Sequence, residues 1–461
     1  MRFLQAKFLL FSLLILRGVS ESQAQQSPIL DGYIKEGLTN NMALKTQQFD
    51  LEKSYIALQE AETLYKPRIN FQSQYSLAAG GRSILFPVGD LLNKVYSTLN
   101  ELTRNPDNFP QLKNQSVQFL PNHFHDTKLH TVYPILNKEI FYNREIKKEL
   151  ITVEQAKLKV YKRELVKNIK IAYIQYLQAN QAASIYKNAL GLVNENLRVN
   201  QKLVKNEVAT NAQILKAQTE VSKVQNSIVE AENNAKNAAA YFNFLINKPF
   251  DTPINIDSTL TDTRYTTSET PYPLHQAAEI QQKREEFAQI QGGQRATALV
   301  QKMNLAYQKP KLGAALDLGF QGYGFKLWNK QAYGLLGLQF DMPIYNAGVN
   351  KLKAQQSQID LNKLDAQNAE VLQQIQLQIQ VAQTNVTTAK EALKVNDAEK
   401  ASSTEYYRLT DRRFREGQAL QIELIDAQTQ LTLSELKRSL AHFTVLMRLI
   451  ELERAEASYQ M

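Results

Sequence analysis

Three periodicities divide the chain. From Ile29 to Tyr65 apolar residues recur at helical spacing: Leu30, Tyr33, Ile34 and Leu38, then Leu51, Tyr55, Ile56, Leu58 and Ala61. Pro67 ends that helix, because the residue before a proline, here Lys66, is pushed toward an extended shape. The period then falls to two, with Ile69, Phe71, Tyr75 and Leu77 alternating with Asn70, Gln72, Gln74 and Ser76. About ten such residues make one tilted membrane strand, and equally a half-buried strand of a soluble sheet. Residues 80–128 read as a long irregular insertion with Pro87, Pro106, Pro110 and Pro121. It holds one short amphipathic helix built on Leu91, Leu92, Val95, Tyr96, Leu99 and Leu102. Leu129–Leu136 reads as the partner strand, closing at Tyr133-Pro134-Ile135-Leu136-Asn137. Helical spacing returns at Glu145 and runs to about Lys205. After a turn over Asn206, Glu207, Val208, Ala209 and Thr210, a 3-4 seam runs through Ile214, Ala217, Val221, Val224, Ile228, Ala231, Ala235, Ala238, Phe242 and Leu245.

The same succession then recurs. Residues 248–275, rich in Thr, Asp, Ser and Pro, have no period and mark a boundary. Helix 276–307 reaches Lys309-Pro310-Lys311-Leu312, which matches Lys66-Pro67-Arg68-Ile69. One strand follows on Leu312, Ala314, Leu316, Leu318 and Phe320, and a second on Leu336, Leu338, Phe340, Met342 and Ile344. Their link carries Phe325, Trp328 and Tyr333, the residues of an interfacial aromatic girdle. The pair closes at Met342-Pro343-Ile344-Tyr345-Asn346, a long helix runs to Arg415, and a turn over Gly417, Gln418, Ala419 and Leu420 leads to the last helix. Asn137 to Ala217 and Asn346 to Ala427 agree in length to within one residue, and each Ala precedes Gln. The expected domains are therefore a first repeat over 25–247, a connector over 248–275 and a second repeat over 276–461. A helical hairpin about 100 Å long cannot bury its own faces and needs copies beside it.

Composition narrows the compartment and the chemistry. Arg2 and Lys7, the apolar run Phe8–Leu16 and Ser22-Gln23-Ala24 form a signal-peptide pattern over 1–24. No later segment is apolar enough to cross a bilayer as a helix, so a membrane form must be a β-barrel. The chain has no cysteine, which excludes disulfides, thiolate metal sites and a lipidated N-terminal Cys. Its net charge of +9 is spread without a basic, aromatic-rich block, so no nucleic-acid partner is expected. His123, His125, Asp126 and His130 have metal-ligating side chains, yet nothing supplies the outer hydrogen bonds of a metal site. Exposed loop and strand residues is the better reading of that cluster. There is no nucleophile constellation and no phosphate loop: no enzyme, no cofactor, no catalytic or metal residues. Val371–Ala389 is uncharged but rich in Gln, Asn and Thr, as in a helix packed on both sides with one face toward an aqueous interior.

The two P-I-x-N strand exits at Pro134 and Pro343, the helix-to-strand prolines Pro67 and Pro310, and above all Arg415–Gln428 (R-E-G-Q-A-L-Q-I-E-L-I-D-A-Q) resemble the TolC-type outer-membrane efflux protein family. The insertion and Y-P-I-L-N resemble Bacteroidetes-like members. The resemblance implies a mostly α fold with a β-barrel part: a homotrimer whose subunits each give four strands to a 12-stranded transmembrane barrel. Long helices would continue it as a coiled-coil barrel through the periplasm. It implies localisation in the outer membrane, in contact with its lipid. It also implies hairpin tips that dock a periplasmic adaptor linked to an inner-membrane pump of RND, ABC or MFS type. The implied function is a passive exit duct for small molecules. An exit duct for type I protein secretion fits the same architecture, and a periplasmic coiled-coil scaffold without a pore would explain the heptads but not the strands.

Glu423 and Asp426 fall where the family carries the acidic pair of its periplasmic aperture; by residue type alone they are two solvated carboxylates on one helix face. Gln213 and Lys216 stand at the equivalent places in the first repeat, so an acidic ring would come from the second hairpin only. The family's basic latch position falls at Ala419 and its tyrosine at Phe414, so that latch does not carry over. The first turn has Glu207 where the second has Gly417, and Asn206 is expected to take the left-handed conformation instead.

Overall fold

A computed structural model describes residues 27–261 and 277–459. The signal-peptide pattern lies outside the described residues, as does the connector between Thr261 and Ala277. The chain divides into two compact units. One comprises residues 54–150 and 294–362; the other comprises 1–53, 151–293 and 363–461.

The unit of 54–150 and 294–362 is built on one antiparallel sheet. Its strands are β1 (Arg68–Ser76), β4 (Phe124–Leu136), β5 (Lys311–Tyr323) and β6 (Ala332–Asp341), hydrogen-bonded in that order. The alternation in the sequence becomes two unlike faces. Ile69 aligns with Thr131, Leu316 and Leu336, and Phe71 with Leu129 and Leu318. Ile69, Phe71, Leu336 and Leu338 are each about two-thirds exposed or more (66, 71, 71 and 72%). On the other face Asn70 aligns with His130 and Asp317, and Gln72 with Lys128. Asp317 accepts from Lys128 Nζ at 2.8 Å and contacts His130 Nδ1 at 2.5 Å, while Tyr333 Oη donates to Asp126 at 2.8 Å. Polar side chains on that face thus partner one another, while the apolar face has no cover among the described residues.

Several boundaries differ from expectation. Strand β4 begins at Phe124, so His125, Asp126 and Lys128 belong to the sheet and not to the insertion. The metal-candidate cluster is thereby split: Asp126 and His130 share the polar face, and His125 is on the other, buried against Phe325 at 5.0 Å between rings. No group of three potential ligands comes together among the described residues. The insertion is ordered rather than irregular, with a ribbon of β2 (Ser83–Phe86) and β3 (Gln115–Gln118) and helix α3 (Val88–Leu102). Tyr333 lies in β6 rather than in the link, and Met342 and Ile344 lie beyond that strand. Pro134 is inside β4, next to a register shift, where β1 no longer reaches because it starts opposite Val132. A proline there breaks no ladder on the β1 side.

The other elements are helices: α1 (Pro28–Asn40), α2 (Met42–Thr63), α4 (Lys138–Lys205), α5 (Asn211–Leu245), α6 (Ala277–Lys283), α7 (Glu285–Leu305), α8 (Val349–Arg415) and α9 (Gln421–Glu456). Helix α4 starts directly after Asn137, whose Oδ1 accepts from the Glu139 N–H at 3.0 Å as an N-cap. Every position of the seam expected along α5 is buried or half-buried. In the uncharged stretch of α8, Ile375, Ile379, Ala382, Val386 and Ala389 are buried at 3-4 spacing; Leu377 and Val381, on other faces, are exposed.

In the second unit Tyr33, Ile34, Ile169, Tyr173, Phe242 and Phe443 centre the largest core, with Tyr33 edge-on to Phe242 at 5.1 Å. That core ties down the start of the connector. Tyr173 Oη donates to Asn255 O at 2.8 Å and accepts from the Asp257 N–H at 2.9 Å, while the Asn255 N–H donates to Tyr33 Oη at 2.9 Å. Burial pushes the Tyr173 hydroxyl up to about 12. Burial pushes the Asp257 carboxyl upward too, but the hydroxyls of Ser27 and Thr259 and the Thr259 N–H donate to it and leave it below its ordinary value. A second buried knot holds α7: Arg284 donates to Ala455 O at 2.8 Å and pairs with Glu286, which Arg454 also contacts at 3.0 Å.

A carboxyl with a lowered folded pKa contributes stability above its unfolded pKa, and that contribution fades as pH falls through the folded value. Asp257→Asn should therefore lower stability at neutral pH and flatten the loss below about pH 4. Tyr173→Phe should cost about 1–3 kcal/mol at all these pH values by orphaning the Asp257 N–H. Thermal melts at pH 7 and pH 3.5 separate the two.

Candidate functional site

The two turns expected as hairpin tips have one geometry. In the first, the Glu207 N–H donates to Val204 O at 3.0 Å and the Val208 N–H to Leu203 O at 2.9 Å. In the second, the Gly417 N–H donates to Phe414 O at 3.0 Å and the Gln418 N–H to Arg413 O at 2.8 Å. Both are helix ends of the Schellman type, closed by one left-handed residue. That residue is Gly417 at φ +74° and Glu207 at φ +60°. The left-handed position in the first turn is thus taken by Glu207 itself and not by Asn206. Exposure matches position for position: Val208 and Gln418 are exposed, Ala209 and Ala419 half-buried, and Thr210 and Leu420 exposed.

Past each turn the same side chain does the same work. The Thr210 N–H donates to Gln213 Oε1 at 3.0 Å, and the Leu420 N–H to Glu423 Oε1 at 3.1 Å. Each reaches back to satisfy an otherwise orphaned donor at the helix start. Glu423 is therefore a capping residue as well as an acid. Its other oxygen lies 3.9 Å from Arg413 Nη1, and Arg413 also donates to Gln418 O at 3.1 Å. Asp426 is exposed and accepts from Gln430 at 2.8 Å. The two acids of the sequence pattern thus differ: one is tied into the turn beside a guanidinium, the other is open to solvent.

A layer of amides behind the tips joins the two hairpins. Gln421 Nε2 donates to Gln213 O at 2.9 Å. Gln428 donates to Leu192 O at 3.3 Å and accepts from Asn196 at 3.4 Å; Asn200 donates to Asn196 O at 2.8 Å. All four side chains are buried, whereas Ile422 is 57% exposed. The signal was present in the sequence: Gln421, Leu424, Gln428 and Leu431 follow one 3-4 seam, and Thr210-x-x-Gln213 is a capping-box spacing.

The other expected site residues are on the sheet unit. Pro67, Pro310 and Pro343 flank β1, β5 and β6 at the end where the helices join, and Phe325, Trp328 and Tyr333 lie at the opposite end. There Trp328 has Lys326 and Lys330 over its ring at 5.6 and 5.7 Å.

A family model described as outer membrane efflux protein matches residues 279–456, which include α7 to α9, β5, β6 and the second tip. Over this segment, somewhat under half of its length, the chain is similar to the outer membrane efflux protein family. That family is one of channels, not enzymes. No curated protein matches the chain. Among solved structures, the Campylobacter jejuni CmeC outer membrane channel aligns with a TM-score of 0.72 at 13% identity, covering 93% of this chain and 86% of that one. The open state of the Neisseria gonorrhoeae MtrE outer membrane channel gives 0.71 at 16% identity, covering 93% and 89%. The Vibrio cholerae outer membrane protein VceC gives 0.69 at 12%, covering 93% and 96%. At such identities the likeness is one of fold, and that fold is the mostly helical one of these channels.

Because a side chain at positive φ costs about 1 kcal/mol, Glu207→Gly should slow hydrogen exchange of the first tip, and Gly417→Ala should speed exchange of the second by a comparable free energy.

Proposed function

We propose that this chain is the outer-membrane exit duct of a tripartite efflux system, passive in itself and emptied by an inner-membrane pump. The observation that carries this is the sheet of β1, β4, β5 and β6: one face apolar and exposed, the other polar, and the outer edges of both edge strands unpaired among the described residues. Four strands cannot close, and open edges do not persist in lipid. Three copies would make a 12-stranded barrel with Asp126, Lys128, His130, Asp317 and Tyr333 lining its interior and Phe325 and Trp328 near one membrane interface. The helices, two structural repeats per copy, would extend the duct through the periplasm, with the helix–strand changes at Pro67, Pro134, Pro310 and Pro343.

In this reading the tips 206–210 and 417–420 face the inner membrane. Val208 and Leu420, apolar, exposed and each next to one of the matched alanines Ala209 and Ala419, form the surface on which a periplasmic adaptor would seat; the adaptor would connect to an RND, ABC or MFS-type pump. The cargo is small molecules. Glu423 and Asp426 would ring the aperture, and since Arg413 stands beside Glu423 alone, Asp426 carries the less compensated charge. Charged rings of this kind select cations.

Two outcomes test this. Membranes of the native strain should yield the protein in the outer-membrane fraction as a trimer, and Leu420→Asp should raise intracellular dye accumulation several-fold while leaving that trimer intact; a soluble periplasmic monomer would overturn the reading. In planar bilayers Asp426→Asn should reduce cation selectivity more than Glu423→Gln, which keeps the capping hydrogen bond. Equal or absent changes would remove the aperture assignment.

A further inference from the structure

Helix α3 is packed the wrong way round for an isolated subunit. Its polar side holds it to the following loop: Asn93 exchanges two hydrogen bonds with the Leu112 backbone at 2.7 and 2.9 Å. Asn100 bonds the Phe109 N–H at 2.9 Å and the carbonyls of Pro106 and Phe109 at 3.0 and 2.9 Å. Those amides fix the helix orientation, and the orientation turns the apolar side outward. Leu91 is 69%, Val95 51% and Leu102 75% exposed, with Leu92 beside them. A helix normally buries such a stripe.

The sheet indicates what covers it. The insertion leaves the chain at Ser76, the last residue of β1, which is an edge strand. The opposite edge is β6, and the loop 324–331 that precedes it lies at the same end of the sheet as Ser76, since Ser76 pairs with Phe124 and Phe124 with Tyr323. When β1 of one copy meets β6 of the next, the insertion of the first is brought beside that loop of the second. The loop is itself apolar and uncovered: Phe325, Leu327 and Trp328 are 59, 57 and 49% exposed. A lipid headgroup layer suits the helix less well. In-plane membrane helices are rich in Lys and Arg on their polar side, whereas α3 has Lys94 against Asp90 and Glu101.

We propose that the apolar face of α3 docks on the β5–β6 loop of the adjacent copy, so that each subunit clasps its neighbour at the outer rim. This rests on the trimer reading and goes beyond it, because closure of the strands alone requires no contact between these segments.

The chain has no cysteine and a single tryptophan, Trp328, which makes the clasp directly measurable. Val95→Cys and Leu327→Cys in one chain, treated with a short bis-maleimide, should give covalent trimers on denaturing gels, while either cysteine alone gives none. In the otherwise native protein, Leu91→Gln with Val95→Gln should at least double acrylamide quenching of Trp328 and lower the temperature at which the trimer dissociates. Native mass spectrometry of the same samples reports assembly independently. Trimers that do not cross-link, or that cross-link through Val95→Cys alone, would overturn the clasp and leave the trimer reading standing. Quenching of a fluorophore at Val95→Cys by brominated lipid would assign the face to the membrane and overturn it too. A monomer by mass would remove both.

Discussion

The structure depends on one unmet requirement: the backbone groups along the outer edges of β1 and β6 have no strand partner among the described residues. In water such an edge is an aggregation hazard, and in hydrocarbon each unsatisfied group costs several kcal/mol. The apolar face of Ile69, Phe71, Leu336 and Leu338 rules out water as the lasting solution, since large hydrophobic patches on a soluble monomer are rare. A sheet apolar on one side, polar on the other and open at both edges has the pattern expected of an arc of a closed barrel in lipid. The proposed trimer follows from that constraint more directly than from any single motif.

Much of this was legible in the sequence where side chains follow one rule at a time. The α5 seam obeys a 3-4 period without interruption, and β1, β5 and β6 alternate cleanly, so their existence was readable. The first half of β4 was hidden because its lipid-side positions are His125 and Thr127 rather than aliphatics, which leaves Phe124–Lys128 without contrast. The start of α4 was hidden by Phe141 and Tyr142, strand-favouring residues that follow a strand. Its cap, Asn137, was in plain view as part of a P-I-x-N exit. The orderly insertion escaped because its order comes from side-chain amides bonding backbone, a contact that no periodicity records.

The tips show the same limit from the other side. Chain arithmetic aligned Glu207 with Gly417 and Gln213 with Glu423, and the two turns do superpose in hydrogen bonding as in sequence. What propensity got wrong was which residue bears the strain: Asn206 is the better left-handed former, but the Schellman bonds fix the position at Glu207, and geometry overrides preference. Glu423, meanwhile, looked like half of an acidic pair and proved to share a capping duty with an uncharged Gln213. Position in the turn explains the residue at 423; only its charge calls for a further role.

That leaves the question of how two hairpins hold together at a tip that would have to open. Behind the turns the seam sets the amides of Gln421, Gln428, Asn196 and Asn200 among buried aliphatics such as Leu424 and Leu431, and those amides bond one another and helix carbonyls. Each such bond contributes only about 1 kcal/mol net, yet a buried amide left unpaired costs more, so the layer fixes register strongly while adding little cohesion. An aliphatic seam would do the reverse, gaining energy from almost any close packing. Arg413 adds to this by pairing with Glu423 and with Gln418 O inside its own hairpin, so it stiffens the second tip without tying it to the first. With Ala419 and Phe414 at the family's latch positions, closure has no charged clasp between hairpins to break. Part of the barrier to opening would then lie in the amide layer, where Gln421 on α9 holds the Gln213 carbonyl on α5 and Gln428 holds the Leu192 carbonyl on α4.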